Sequence, residues 1–506
     1  MHPRAEAMRS YLEMFPEDRP KIEGERRILL VTVPSIVKVG EEFDLRLTMM
    51  DLSGMPDEGY EGLITLTPSE ESLEVPDKVE LKPRDRGRLT VRGLRATHPG
   101  AYVIQAEVDG SPSPGPSSNP LLARESPRRR LYWGDIHVHS VYSNCHADYA
   151  KHPEFAYWYA REVAHLDFCA VTDHVRGLTP SRWADLKRLA DKYYTPGRFV
   201  TFLGFESSHA KEFGGDINVY YESTDGDYFW LEREDMKGTT PKVPLSTLYA
   251  WLEHQGMPFI VVPHHTPRAG KYRDFDLPYY AGKDEPVLEV FSMWGSSEAR
   301  NDGLYLKGGK ATARAYLEDA LALGYRYGVI GSSDTHHTLP GSPVSSLPRP
   351  YHHPPNKLTN QGLAAVYGPS LTRRDLFASL RLRSCYATTS TRPIIDFQVN
   401  GVPMGSSLVV GEKMLGDREI SLSIYTSIRP GLVEIIRNNQ ILYSFRLADG
   451  VETHYTFTDR DDPRSLWITG APMSKRPFFY YYLRVTFLGD HSGIRAWSSP
   501  IWVEKG

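Results

Sequence analysis

Residues 131–140 read LYWGDIHVHS, an apolar, β-prone run that ends in His137-Val138-His139. On a strand, positions i and i+2 share a face, so both imidazoles can point inward. The pattern recurs downstream. Thr172-Asp173-His174 closes a strand predicted from Phe168, Glu206 follows Phe199–Phe205, and His264-His265 follow Phe259–Val262. Asp334-Thr335-His336 comes after Gly328-Val329-Ile330-Gly331. Helices are expected between these strands at Pro153–His165, around Trp183, Leu186, Leu189 and Ala190, and at Leu245–Gln255, Thr312–Leu323 and Arg373–Leu382. Further strands are expected at Val287–Phe291, Tyr327–Ile330 and Leu363–Tyr367. Repeated β-then-α units predict an α/β barrel, with metal-ligand residue types gathered at the carboxyl ends of its strands.

Taken singly, an HxH or Asp-x-His is a weak signal, since packing alone produces such pairs. Five clusters at equivalent ends of five strands are another matter, because burying so many polar and charged groups without a metal is costly. Adjacent residues on a strand face opposite ways, so at most one of His264 and His265 is expected to serve the site. Mixed imidazole and carboxylate donors suit zinc, manganese or iron better than magnesium. There are more donors than one tetrahedral ion can use, so two or three divalent ions are expected, with Glu206 the natural bridge. Such a cluster lowers the pKa of a bridging water, giving hydroxide near neutral pH, and clamps the oxygens of the transition state. The expected activity is hydrolysis, of phosphate mono- or diesters first and of carboxylic esters or amides second. A catalytically idle barrel in a glycan- or protein-binding module is the third reading. The presence together of His137, His139, Glu206 and Asp334 speaks against it.

The flanks have a different character. Phe43 to Thr48 alternates apolar and polar residues, and Tyr102, Ile104, Ala106 and Val108 do so again after Pro99-Gly100. These patterns predict a β-sandwich over 25–110, after an N-terminal extension at 1–24. A Pro/Ser-rich linker occupies 111–130, the barrel 131–392, and a second β-sandwich 393–506, where Ile420, Leu422 and Ile424 alternate. A chain of 506 residues is too long for one core. Its net charge of -4 gives no reason to expect nucleic acid, and Arg128-Arg129-Arg130 reads as a solvated linker. The opening residues lack a signal-like apolar region, and no window approaches the ~20 apolar residues of a membrane span. Three cysteines, Cys145, Cys169 and Cys385, make no disulfide framework, so a cytoplasmic location and no membrane partner are expected.

In order, GDIHVHS, AVTDH, GFE, PHH and SSDTH resemble the PHP (polymerase and histidinol phosphatase) superfamily of metal-dependent phosphoesterases. SNP before the barrel, LEVFSMWGSSE within it and RLRSCYATTSTRPIIDFQVNGVPMGS at its exit are similar to the DUF3604 group. The resemblance spans roughly residues 95–410 and implies a distorted (β/α)7 barrel with a trinuclear site. It implies His137, His139, Glu206 and Asp334 as ligands of a first metal. Glu206 would bridge to a second metal held by His264, and His174 and His336 would hold a third. Of the two carboxylates assigned to the chemistry, Glu206 is the bridge and Asp173 orients a ligand. Two positions depart from the family pattern. Cys145, followed by His146, stands where relatives have Asp or His, and Asp216 stands where relatives often have His, and is expected as a ligand in its place. Arg176, Lys211 and Arg268 follow motifs closely and are expected to bind an anionic small-molecule substrate. The long segments Glu222–Lys242 and Pro340–Asn360 are candidate lids.

Overall fold

The computed structural model describes residues 27–51, 53–108, 115–145, 150–209, 213–229, 244–277, 284–304, 306–343, 361–411, 416–428, 430–447, 450–487 and 494–506. Lys211, His146 and most of the two candidate lids lie outside them. In the N-terminal region the alternation at Phe43 is realised: Phe43, Leu45 and Leu47 are buried, while Asp44 and Arg46 are only partly covered. That strand, Phe43–Asp51, pairs with Arg27–Thr32 and Arg88–Ala96. A second sheet, in which Gly62–Pro68 lies between Lys78–Leu81 and Ile104–Val108, shares the same core.

The central region positions the site. β1 (Arg130–Asp135), β2 (Phe168–Val171) and β3 (Val200–Ser208) run parallel. β4 (Asp216–Tyr221) is antiparallel to both β3 and β5 (Phe259–Pro263). β6 (Val287–Ser292) is parallel to β7 (Gly328–Gly331). Parallel bridges join His264 to Glu289 and Val138 to Thr335, linking the end of β5 to β6 and the segment after β7 to that after β1. Among the described residues the longer helices are α1 (Pro153–Glu162), α2 (Pro180–Tyr193), α3 (Leu245–His254), α4 (Leu317–Ala322) and α5 (Arg373–Arg381). The protein is therefore sheet-rich, and the β3–β4–β5 meander interrupts the β-then-α repetition expected from the sequence.

Three local differences have physical reasons. Every residue of β4 is buried, so it lacks the alternation that marks a half-exposed strand. α1 stops at Glu162, and His165 just beyond it has left-handed backbone (φ 53°). α4 begins only at Leu317, because the Arg300 guanidinium takes up the carbonyls of Ala311, Thr312 and Ala313.

β8 (Gly362–Gly368) runs antiparallel to β1, and β9 (Cys385–Thr389) antiparallel to β8. β9 in turn pairs with Arg495–Ser498, so the central sheet continues without a break into Phe478–Phe487, Pro430–Arg437 and Gln440–Arg446. A separate C-terminal sheet contains Ile394–Val399, Arg418–Tyr425 and Glu452–Asp459, with Ile420, Leu422 and Ile424 buried as their alternation predicts. No described helix is long and apolar enough to cross a membrane.

Candidate metal centre

His137 and His139 follow β1 with their Nε2 atoms 3.2 Å apart. What holds each ring fixes its tautomer. The Glu289 carboxylate lies 3.0 Å from His137 Nδ1 and can only accept, so Nδ1 carries the proton and Nε2 offers its lone pair to the centre. Ser143 Oγ donates to Asp173 Oδ1 (2.6 Å), so it accepts from His139 Nδ1 (2.9 Å), which again leaves Nε2 free. Asp173 also accepts from the Ser140 N–H and hydroxyl at 2.7 and 2.6 Å. It thus orients His139 through Ser143 and belongs to none of the ligand groupings below.

Glu206 sits at the middle. Its Oε2 lies 3.0 Å from His174 Nδ1, 3.1 Å from His139 Nε2 and 3.5 Å from His137 Nε2. Its Oε1 faces the other way, 3.5 Å from His264 Nε2. Asp334 Oδ1 lies 3.1 Å from His139 Nε2 and 3.4 Å from His137 Nε2, while its Oδ2 is 3.7 Å from His265 Nδ1. Asp334 adopts left-handed backbone (φ 50°), a conformation that costs energy outside glycine and is found at sites that require it.

His264 and His265 both place a ring nitrogen in one grouping with Asp216, although adjacent residues on a regular strand point to opposite faces. β5 ends at Pro263 and His265 has φ 31°, so the pair leaves strand geometry and the ring centroids stand 4.3 Å apart. His265 Nε2 meets Asp216 Oδ2 at 2.8 Å, and Lys271 Nζ approaches the same oxygen at 3.3 Å.

Electrostatics follow from this crowding. Burial favours the neutral form of Glu206, but the surrounding His174, His137 and His139 rings hold its carboxyl well below the usual range. Asp334 is depressed in the same way by His137, His139 and His265. Burial opposes protonation of His139, yet Asp334 and Glu206 raise it to about 9. His264 is lowered, first by burial and then by the neighbouring His265 and His137 rings. Behind the rings, buried Asp135 accepts from the N–H groups of His137, Ser333 and Gly341, tying the end of β1 to the segment after β7.

Four groupings have ligand atoms within 4.8 Å of one another: His137–His139–Glu206, His137–His264–Asp334, Asp216–His264–His265, and His139–Cys145–His174–His336. Buried polar atoms there lack hydrogen-bond partners, including both His264 nitrogens, His265 Nδ1 and Asp216 Oδ1. Such orphans are costly, and a bound cation relieves the cost. The donor set fits divalent ions. All eight residues expected as ligands therefore lie together, with His265 and Cys145 added.

Of the residues expected to bind anions, Arg176 is exposed in the turn after His174. Arg268 lies 5.8 Å from the Trp294 ring, and that ring stands edge-on to His336 at 5.5 Å. Lys307, nine residues past the LEVFSMWGSSE stretch, is buried with its Nζ 3.6 Å from the centroid of the same ring. Sequence reasoning missed Glu289, Ser143, Trp294 and Lys307. A carboxylate alone in the apolar run Val287–Ser292 was the one available signal for Glu289. His209 bonds to Ser207 and joins no ligand grouping among the described residues.

This arrangement defines a sheet-rich α/β protein with a buried histidine–carboxylate cluster whose donor atoms could hold a divalent metal ion. No family model matches the chain. An uncharacterized protein of Chlamydia pneumoniae is 27% identical over 489 residues, covering 94% of this chain and 73% of that one. An uncharacterized protein of Chlamydia trachomatis is 26% identical over 494 residues, with the same coverage. Among solved structures, a two-domain protein of Bacteroides vulgatus containing a predicted PHP-like metal-dependent phosphoesterase is 14% identical. It covers 74% of this chain and 95% of its own, at a TM-score of 0.36. That superposition is too loose to fix the fold or the chemistry.

Proposed function

We propose that the chain is a metal-dependent hydrolase of phosphate mono- or diesters, of the PHP type, in which β4 distorts a (β/α)7-like barrel. The observation that carries this reading is Glu206, one carboxylate whose Oε2 faces three imidazoles while Oε1 faces a fourth. That is the arrangement a bridging ligand needs. His137, His139 and Asp334 would complete a first position, His264 and Asp216 a second, and His174 and His336 a third. Divalent ions bound there supply Lewis acidity, acidifying water and offsetting charge on a phosphoryl group.

The chain's own residues do the rest. Glu289 and the Asp173–Ser143 pair keep His137 and His139 in one tautomer and one orientation. Arg268 and Lys307, gathered at Trp294 beside His336, supply positive charge where an anionic substrate would seat. These cations favour a phosphate ester over a neutral carboxylic ester. The test is to load the purified protein separately with zinc, manganese and iron, and to assay p-nitrophenyl phosphate, bis(p-nitrophenyl) phosphate and p-nitrophenyl acetate. Metal-dependent release from a phosphate ester is expected. Turnover of the acetate alone would move the reading to carbonyl chemistry, and a fully loaded protein idle on all three would end it.

A further inference from the structure

The floor and the mouth of the centre differ in chemistry. On the floor, the side chains of His137 and His264 are fully buried and that of Asp216 is 1% exposed. At the mouth, His174 and His336 are 13% and 10% exposed. Half-buried Cys145 stands with these two and His139, donor atoms mutually within 4.8 Å. The His139 ring lies 4.1 Å from that of His336 and 4.5 Å from that of His174. His174, His336 and Cys145 thus offer two imidazole nitrogens and one sulfur beside the His139 ring, three of the four donors that one tetrahedral ion takes at about 2.0–2.3 Å. The floor offers Asp216, His264 and His265, and no sulfur.

Cys145 is placed there by the same structure that fixes the imidazoles. The short turn Val141–Ser143 ends at Asn144 in left-handed backbone (φ 52°), which delivers Cys145 to the rings. Ser143 of that turn accepts from His139 Nδ1 and from the His174 N–H (3.1 Å). Turn, sulfur and two imidazoles form one unit. The other cysteines differ: Cys169 and Cys385 lie buried within β2 and β9, in no ligand grouping.

We infer that the centre is heterometallic: Cys145 ligates the ion at the mouth as a thiolate and selects a thiophilic metal such as zinc, while the floor, with Asp216 and Glu206, takes a harder ion such as manganese. The inference rests on reading the cluster as a metal centre, though not on which bond it hydrolyses. Stripped full-length protein titrated with cobalt(II) tests it directly. A near-ultraviolet sulfur-to-cobalt charge-transfer band is expected in the wild type and in Cys169→Ser. It should vanish in Cys145→Ser, while visible cobalt bands from the floor persist and report an intact fold. Equilibrated with one equivalent of zinc and a large excess of manganese, the wild type should retain zinc alongside manganese, and Cys145→Asp should retain less zinc. Equal zinc retention by the two would overturn the selection of zinc by Cys145. Bound cobalt without the charge-transfer band, or a band that survives in Cys145→Ser, would overturn the thiolate assignment alone. Failure to bind any cobalt would overturn the metal-centre reading with it.

Discussion

Glu206 divides its two oxygens between different rings, and that division sets what its substitution does. A neutral amide bridges cations poorly, so Glu206→Gln should abolish metal-dependent hydrolysis while circular dichroism stays unchanged. Near-wild-type turnover at saturating metal would refute the bridging role. Asp173 acts one step back, through Ser143 on His139. Its replacement by alanine should lower metal affinity or turnover roughly 10–100-fold, the usual effect of losing a partner behind a ligand. Equilibrium dialysis against zinc checks this, and unchanged affinity and turnover would refute it. The histidines of HVH, TDH and DTH were legible because each follows an apolar strand. His265 was not, because its role depends on a positive φ just past Pro263 that no spacing rule announces.

At the scale of elements, α1 runs into His165, whose ring is held between Thr32 Oγ1 (2.7 Å) and Thr48 Oγ1 (2.9 Å) of the N-terminal region. Burial, reinforced by Arg46, Arg392 and Arg88, pushes its pKa well below the usual imidazole value. The ring is neutral in the folded protein, whereas the unfolded chain binds a proton near pH 6.5. This contribution is therefore fully present above about pH 6.5 and lost as pH falls below it, by up to about 1.4 kcal/mol per pH unit. Urea denaturation between pH 7.5 and 5.5 should show a steeper loss in the wild type than in His165→Gln. Equal slopes would refute the linkage. Most strands and helices were legible as elements, since amphipathic periodicity survives wherever one face meets solvent. β4 was not, being buried on both faces, and α4 lost its expected first turns to Arg300, a partner that local sequence cannot reveal.

For the whole molecule, the sequence suggested separate units, but the pairing of β9 with Arg495–Ser498 makes the central sheet continuous with C-terminal strands. Contacts between residues a hundred positions apart leave no local pattern to read. Glu298, four residues past Trp294, is buried and accepts from Arg484 (2.7 Å), Trp497 Nε1 (2.7 Å) and the Tyr482 hydroxyl (3.2 Å). Arg484→Met should cost about 3–5 kcal/mol of stability, because it takes the nearer guanidinium from buried Glu298 and leaves only Arg495, 3.9 Å away. Below the melting temperature, zinc content and kcat should stay near wild type, since the C-terminal strands are expected to supply support and no catalytic group. A stable, fully loaded variant without turnover would refute that division of labour.

The order of synthesis gives Glu298 a further meaning. Its partners are made 184 to 199 positions later, after every candidate ligand has left the ribosome. A nascent chain halted before Tyr482 would carry the whole histidine–carboxylate set while Glu298 still lacked Tyr482, Arg484 and Trp497. The segment bearing Trp294 therefore packs beside strands that are translated last. Truncation before Tyr482 is therefore expected to weaken metal retention relative to the full chain.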